Sequence, residues 1–157
     1  MRIFIILSFF LCSCVNAQEL TVEQKIIAMT IAGEARGEGK LGMYCAATVI
    51  AQRSIAWGET PTQVCLKKWQ FSCWNPDDPN RAKLPRLLDT PTGEYAQFLA
   101  INLKRLDRKF TGNADHYCHV NKNPSWSFKT VIRKGKPVKI PLKPTKVIGN
   151  HKFYKLR

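Results

Sequence analysis

Seven residues, Gly33-Glu34-Ala35-Arg36-Gly37-Glu38-Gly39, place two carboxylates four positions apart among three glycines. The chain holds only 11 Asp and Glu against 25 Lys and Arg, so acids so closely spaced stand out from the background. A helix running through both would set Glu34 and Glu38 on one face, about 5 to 6 Å apart at Cβ. Like charges at that range, or partial burial of one, favour keeping a proton on one carboxyl, which is the form a general acid needs. The competing reading is a glycine-rich helix end with solvated charges.

Other reactive residues cluster elsewhere. Gln70-Phe71-Ser72 sits in an aromatic stretch, and Asp115-His116-Tyr117-Cys118-His119 precedes Pro124-Ser125-Trp126. No Cys-x-x-Cys pair exists, and Asp115 to His119 is the only close set of ligating residues, so no metal site is expected. Beyond residue 17 the cysteines number four, which in an oxidising compartment predicts two disulfides. Cys65 with Cys73 closes a short loop and is the preferred pair, leaving Cys45 with Cys118; three pairings are permitted.

The elements that must carry these residues are legible in part. Thr21-Val22-Glu23-Gln24 forms a capping box ahead of an apolar stripe, predicting a helix of about 11 to 14 residues ending near Glu34. Gly37 and Gly39 break it from a second helix over Leu41 to Ser54. Pro61 opens a short helix to Lys67, and Trp69 to Trp74 with the following prolines reads as a loop. The longest helix is expected from Pro91 to Phe110, with Tyr95, Phe98, Leu99, Leu103, Leu106 and Phe110 as its apolar stripe and Gly112 as its stop. Prolines 137, 141 and 144 argue against helix in the last part, where short strands and a hairpin across Lys134-Gly135-Lys136 are expected. The fold class is therefore mostly α or α+β, in one domain with a basic strand-and-loop C-terminal part.

Residues 1–17 carry Arg2, an apolar run from Ile3 to Leu11, and small residues at Val15-Asn16-Ala17, the pattern of a cleaved export signal. A lipoprotein box at Cys14 is the rival reading. Export to the periplasm or the cell exterior is expected, with 18–157 as the working domain. The formal net charge is +14, and no acid follows Asp115 while eleven Lys and Arg do. Such a field attracts polyanions. Nucleic acid is set aside because of the leader and the lack of a recognised binding module; wall polymer or a membrane surface remains, bound by a monomer.

Five blocks in order, namely residues 33–38, the alanine-rich helix ending in Gln52-Arg53, Gln70-Phe71-Ser72, Asp115-His116-Tyr117 with Pro124-Ser125-Trp126, and Ile148-Gly149-x-His151-x-Phe153-Tyr154, resemble the SleB-type cell-wall hydrolases, the spore-cortex-lytic family. The resemblance spans nearly all of 18–157. It implies a lysozyme-like fold, peptidoglycan glycan strands as substrate, no cofactor, and one catalytic Glu at a helix end, which falls on Glu34. It also implies a substrate-contacting set of Glu38, Gln70, Phe71, Ser72, His116, Tyr117 and Trp126. Within that set Phe71 reads by its own pattern as core, His116 as a loop hydrogen-bonder, and Trp126 equally as a sugar platform or a support under the basic tail. The chain departs from the family pattern at Gly39, where a proline often stands, and at Asp115, where a threonine is common. With one trusted carboxylate, the implied chemistry is lytic transglycosylation at the MurNAc-GlcNAc bond. A hydrolytic muramidase using Glu38 or Asp115, an N-acetylmuramoyl-L-alanine amidase, and a cationic wall-binding protein without catalysis are the alternatives.

Overall fold

Thr21 begins the first helix as its sequence dictates. Its hydroxyl accepts the Gln24 backbone N–H at 3.1 Å, and the Gln24 side chain accepts the Thr21 N–H at 2.9 Å, which satisfies two otherwise orphaned donors. In this computed structural model, which describes residues 19–157, the resulting helix α1 covers Val22–Ala35. The leader expected over 1–17 and the rival lipidation site at Cys14 lie outside the described residues. α1 buries Ile27, Ala28, Ile31 and Ala32 and ends one residue past Glu34.

The helix does not run on to Glu38, so the condition for Glu34 and Glu38 to share a helical face is not met. Arg36–Glu38 forms a single 3-10 turn, and Gly39 takes φ +67°, a conformation in which an L side chain is disfavoured. The chain then enters α2, Gly39–Trp57, the longest helix. Its alanines 46, 47 and 51 are buried with α1 in the main core, where small side chains let the two backbones approach. α3, Pro61–Leu66, carries a second capping box on Thr60 and Gln63. α4 is a single turn at Leu84–Leu87, and α5, Pro91–Ile101, packs along α1.

α5 is shorter than predicted. Asn102 caps the helix by donating both its backbone N–H, at 3.1 Å, and its side-chain amide, at 2.9 Å, to the Phe98 carbonyl, and beyond it the Asp107 side chain accepts the Lys109 N–H, a local bond in place of a helical one. Two 3-10 turns, Leu103–Arg105 and Arg108–Thr111, follow. Phe98 and Phe110, read from sequence as part of the buried stripe, are exposed; Ala96, Leu99, Ala100 and Leu103 supply the contacts instead.

The last third of the chain is antiparallel strand. β1 (His116–His119), β5 (His151–Tyr154) and β4 (Lys146–Ile148) form one sheet in the order β1-β5-β4. β2 (Phe128–Arg133) and β3 (Lys136–Pro141) form a separate hairpin whose two turn residues, Lys134 and Gly135, both have positive φ, matching the twist such hairpins need. Cys45, Val49, Ala114 and Phe153 make a small second core that fastens the larger sheet to α2. The domain is thus a mixed α+β unit with its strands gathered at the C-terminal end.

Among the described residues the four cysteines are free thiols, and this structure holds neither the expected Cys65–Cys73 bridge nor the Cys45–Cys118 bridge. Cys45 lies in the small second core, while Cys65 and Cys73 belong to the main one. Cys118 points instead toward the Lys122 carbonyl at 3.6 Å. Burial pushes the Cys45 thiol up to about 11 and that of Cys65 up to about 12.

Candidate active site

Glu34 occupies the last turn of α1, half-buried. One carboxylate oxygen, Oε1, accepts two hydrogen bonds: from the Ser72 hydroxyl at 3.1 Å and from the Cys73 backbone N–H at 2.9 Å. The loop that brings these donors is seated on α1 at two points. A Cβ at Gly33 would lie 2.8 Å from the Cys73 Cβ, so the absence of a side chain is what lets the loop approach. One turn earlier, Trp74 donates its indole N–H to the Thr30 hydroxyl at 2.8 Å. Trp74 is therefore a strut between loop and helix. Two donors on one oxygen fix the plane of the carboxyl group, the kind of prior orientation that proton transfer benefits from.

Phe71 requires a correction. It is 1% exposed, within the main core, and cannot touch a ligand. The Arg53 guanidinium sits 5.0 Å above its ring and 5.1 Å from that of Trp57, with Nε donating to the Asp115 carbonyl at 2.6 Å. Burial lowers the affinity of this guanidinium for its proton, and Tyr117, Asp115 and, more weakly, Cys65 and Glu34 offset only part of that loss. Gln70 is half-buried immediately before Phe71, and Ser72 is exposed beside Glu34.

The register of the sheet separates the remaining candidates. Tyr117 pairs with Phe153 and His119 with His151; directly opposed residues of antiparallel strands share a face. Tyr117, Phe153, His119 and His151 therefore line one side, and the Tyr117 and His151 rings meet edge-on at 5.3 Å. Burial, and next the Glu34 carboxylate, hold the Tyr117 hydroxyl well above the usual phenol range. Burial lowers His151, while Glu38 and Glu34 pull it back up and His119 pushes it down. Both carboxylates thus act on this face.

His116 and Trp126 are placed on the other side. His116 pairs with Tyr154, its ring lies 5.1 Å from that of Trp126, and Trp126 in turn packs edge-on to Tyr154 at 5.4 Å. Because β1 is an edge strand, Trp126 still borders an open depression with Tyr117, Lys122 and Asn123. Neither residue is brought into contact with Glu34.

The other two acids are engaged. Glu38 Oε2 accepts from the Asn150 side chain at 3.4 Å and lies against Gly149, tying the 3-10 turn ahead of α2 to the β4-β5 turn. Asp115 is fully buried: Oδ1 accepts the Leu156 N–H at 2.8 Å and pairs with His116 Nδ1 at 3.0 Å, and Oδ2 accepts the Arg157 N–H at 2.9 Å. It is a clamp on the end of the chain. Among the described residues, no three His, Cys, Asp or Glu converge on a metal-binding point.

Cys73, read from sequence only as a disulfide partner, Asn150, not singled out at all, and His151, quoted only within a family block, enter this region beside the candidate acid. His151 carried a signal, since it stands in the last block of the family pattern; the Cys73 amide carried none, because a backbone donor leaves no residue-type trace.

The model of one family, described as Cell Wall Hydrolase, matches residues 37–154, from the turn after Glu34 to the end of β5. No curated protein and no solved structure matches the chain. With well over half of its length matched, the chain belongs to the Cell Wall Hydrolase family, whose members are enzymes acting on peptidoglycan.

Proposed function

We propose that the chain is a lytic transglycosylase that cleaves between N-acetylmuramic acid and N-acetylglucosamine, with Glu34 as both acid and base. The observation that carries this reading is the contrast among the three candidate carboxylates. Glu34 is held through Oε1 alone by Ser72 and Cys73, Asp115 is fully buried on the Leu156 and Arg157 amides, and Glu38 is tied to Asn150. Among the described residues no donor is placed on Glu34 Oε2.

In the proposed reaction, protonated Glu34 gives its proton to the glycosidic oxygen as the bond from that oxygen to muramyl C1 breaks. The carboxylate left behind faces the positive charge growing on the sugar. It then takes the proton of the muramyl C6 hydroxyl, whose oxygen bonds to C1 and closes a 1,6-anhydro ring. Glu34 ends protonated, ready for another cycle, and no water is consumed. Tyr117, on the wall that feels the Glu34 charge, positions the muramyl ring, and Gln70 lies on the approach to Ser72 where an acetamido group would contact it. The export signal read over residues 1–17 fits a substrate outside the cytoplasm.

Mass spectrometry of muropeptides released from purified peptidoglycan tests this. Anhydro-muramyl ends are expected; reducing muramyl ends would replace the proposal with a hydrolytic muramidase using Glu38, and free peptides with an amidase.

A further inference from the structure

The β2-β3 hairpin is joined by hydrogen bonds only to itself; its strands share no ladder with the β1-β5-β4 sheet. A two-stranded ribbon of this kind gains little stability alone, and here it carries Lys129, Arg133, Lys134, Lys136 and Lys139, all exposed, with no acid anywhere after Asp115. The cations cluster at the tip, where Arg133 stands opposite Lys136 across the turn. The exposed aliphatics do not form a single apolar side: Val138 pairs with Val131 on one face, while Ile132 pairs with Pro137 on the other. A bilayer would require one apolar face, and stacking on neutral sugar would require aromatic rings, of which Phe128 at the base is the only one.

We infer that this hairpin is an electrostatic docking surface for the free carboxylates of peptidoglycan peptide stems, which keeps the enzyme on its polymer between cleavage events. The inference rests on the peptidoglycan reading but not on the mechanism. Its contacts are solvent-exposed charges, so the attraction works by steering and local concentration, and salt weakens it.

The test is co-sedimentation of the Glu34→Gln protein with purified peptidoglycan sacculi, which reads binding without cleavage. Replacing Arg133, Lys134, Lys136 and Lys139 together with Gln is expected to weaken binding about tenfold at low salt and to flatten its salt dependence. A control removes the same charge from the helical side, at Lys83, Arg86, Lys104 and Arg105, all exposed, and is expected to bind as the parent. Equal loss in both variants would assign binding to net charge and overturn the hairpin's role, as would undiminished binding in the hairpin variant. Anionic phosphatidylglycerol vesicles provide the other arm: tight binding there, with none to sacculi, would overturn the peptide-stem assignment in favour of lipid. Circular dichroism of both variants confirms that the fold is retained. Cleavage yielding anhydro ends but no hairpin-dependent binding would sink this inference alone and leave the mechanism standing.

Discussion

The Cys73 backbone N–H donates to Glu34 Oε1 at 2.9 Å, across thirty-nine positions of sequence. The bond locks the end of α1 to the loop that follows α3, and it makes the orientation of the acid depend on how that loop is seated. The first prediction concerns the acid itself. Glu34→Gln keeps an oxygen for Ser72 and Cys73 but has no proton to give, so cleavage of peptidoglycan should fall by roughly 10²- to 10⁴-fold with an unchanged melting temperature. Activity within a factor of two of the parent would remove Glu34 from the mechanism.

Ser72→Ala removes one of the two donors and leaves the Cys73 amide. A hydrogen bond to a charged group is worth about 1.5 to 3 kcal/mol, so kcat should drop roughly tenfold or more, with a smaller change in KM. Stability should barely move, because Ser72 is exposed. A change in KM alone would indicate that Ser72 touches substrate and does not orient the acid.

Gly33→Ala places a methyl 2.8 Å from Cys73 Cβ and 2.9 Å from Leu84 Cδ2. The loop must lift away, at a cost of about 1 to 3 kcal/mol in stability. Activity per folded molecule should fall as well, since the Cys73 amide moves with the loop. Denaturant unfolding and a turnover assay on the same preparation separate the two effects.

Asp115→Asn retains the volume but turns an amide NH₂ toward the Leu156 or Arg157 N–H, leaving a buried donor unpaired. A loss of roughly 2 to 4 kcal/mol is expected, measured by urea unfolding, with specific activity of the folded fraction unchanged. An active-site role for Asp115 would show the reverse pattern.

His151 gives a pH dependence whose direction follows from its environment. Burial, its largest influence, holds its folded affinity for a proton below the ordinary value near 6.5. The unfolded chain therefore takes up the proton first as pH falls, so the folded state loses stability from about pH 6.5 downward. The melting temperature should decline between pH 7 and pH 5 in the parent and decline less in His151→Asn. Identical pH profiles would place the titration elsewhere.

Local chemistry explains what was readable in the sequence. The Thr21 and Gln24 capping box, the end of α1 near Glu34 and the Lys134-Gly135 turn are set by residues a few positions apart, and each is found where sequence reasoning places it. The failures are of longer range or of side-chain competition. Phe98 and Phe110 follow the apolar period of a helix that Asn102 interrupts. Count and spacing suggest cysteine pairs but do not record where each thiol packs: Cys45 is buried in the small second core, whereas Cys118 turns to the Lys122 carbonyl. In the site, the residue type of Glu34 was visible, whereas the division of Tyr117 from His116 and Trp126 emerges only from strand register.

The hairpin's closed ladder has a further consequence for how this molecule can change. Since neither β2 nor β3 lends a ladder hydrogen bond to the strands that carry Tyr117 and His151, residues 128–141 form a cassette whose recharging leaves the register of that sheet intact. The cationic ribbon and the three-stranded sheet are in this way separable design variables within one small domain.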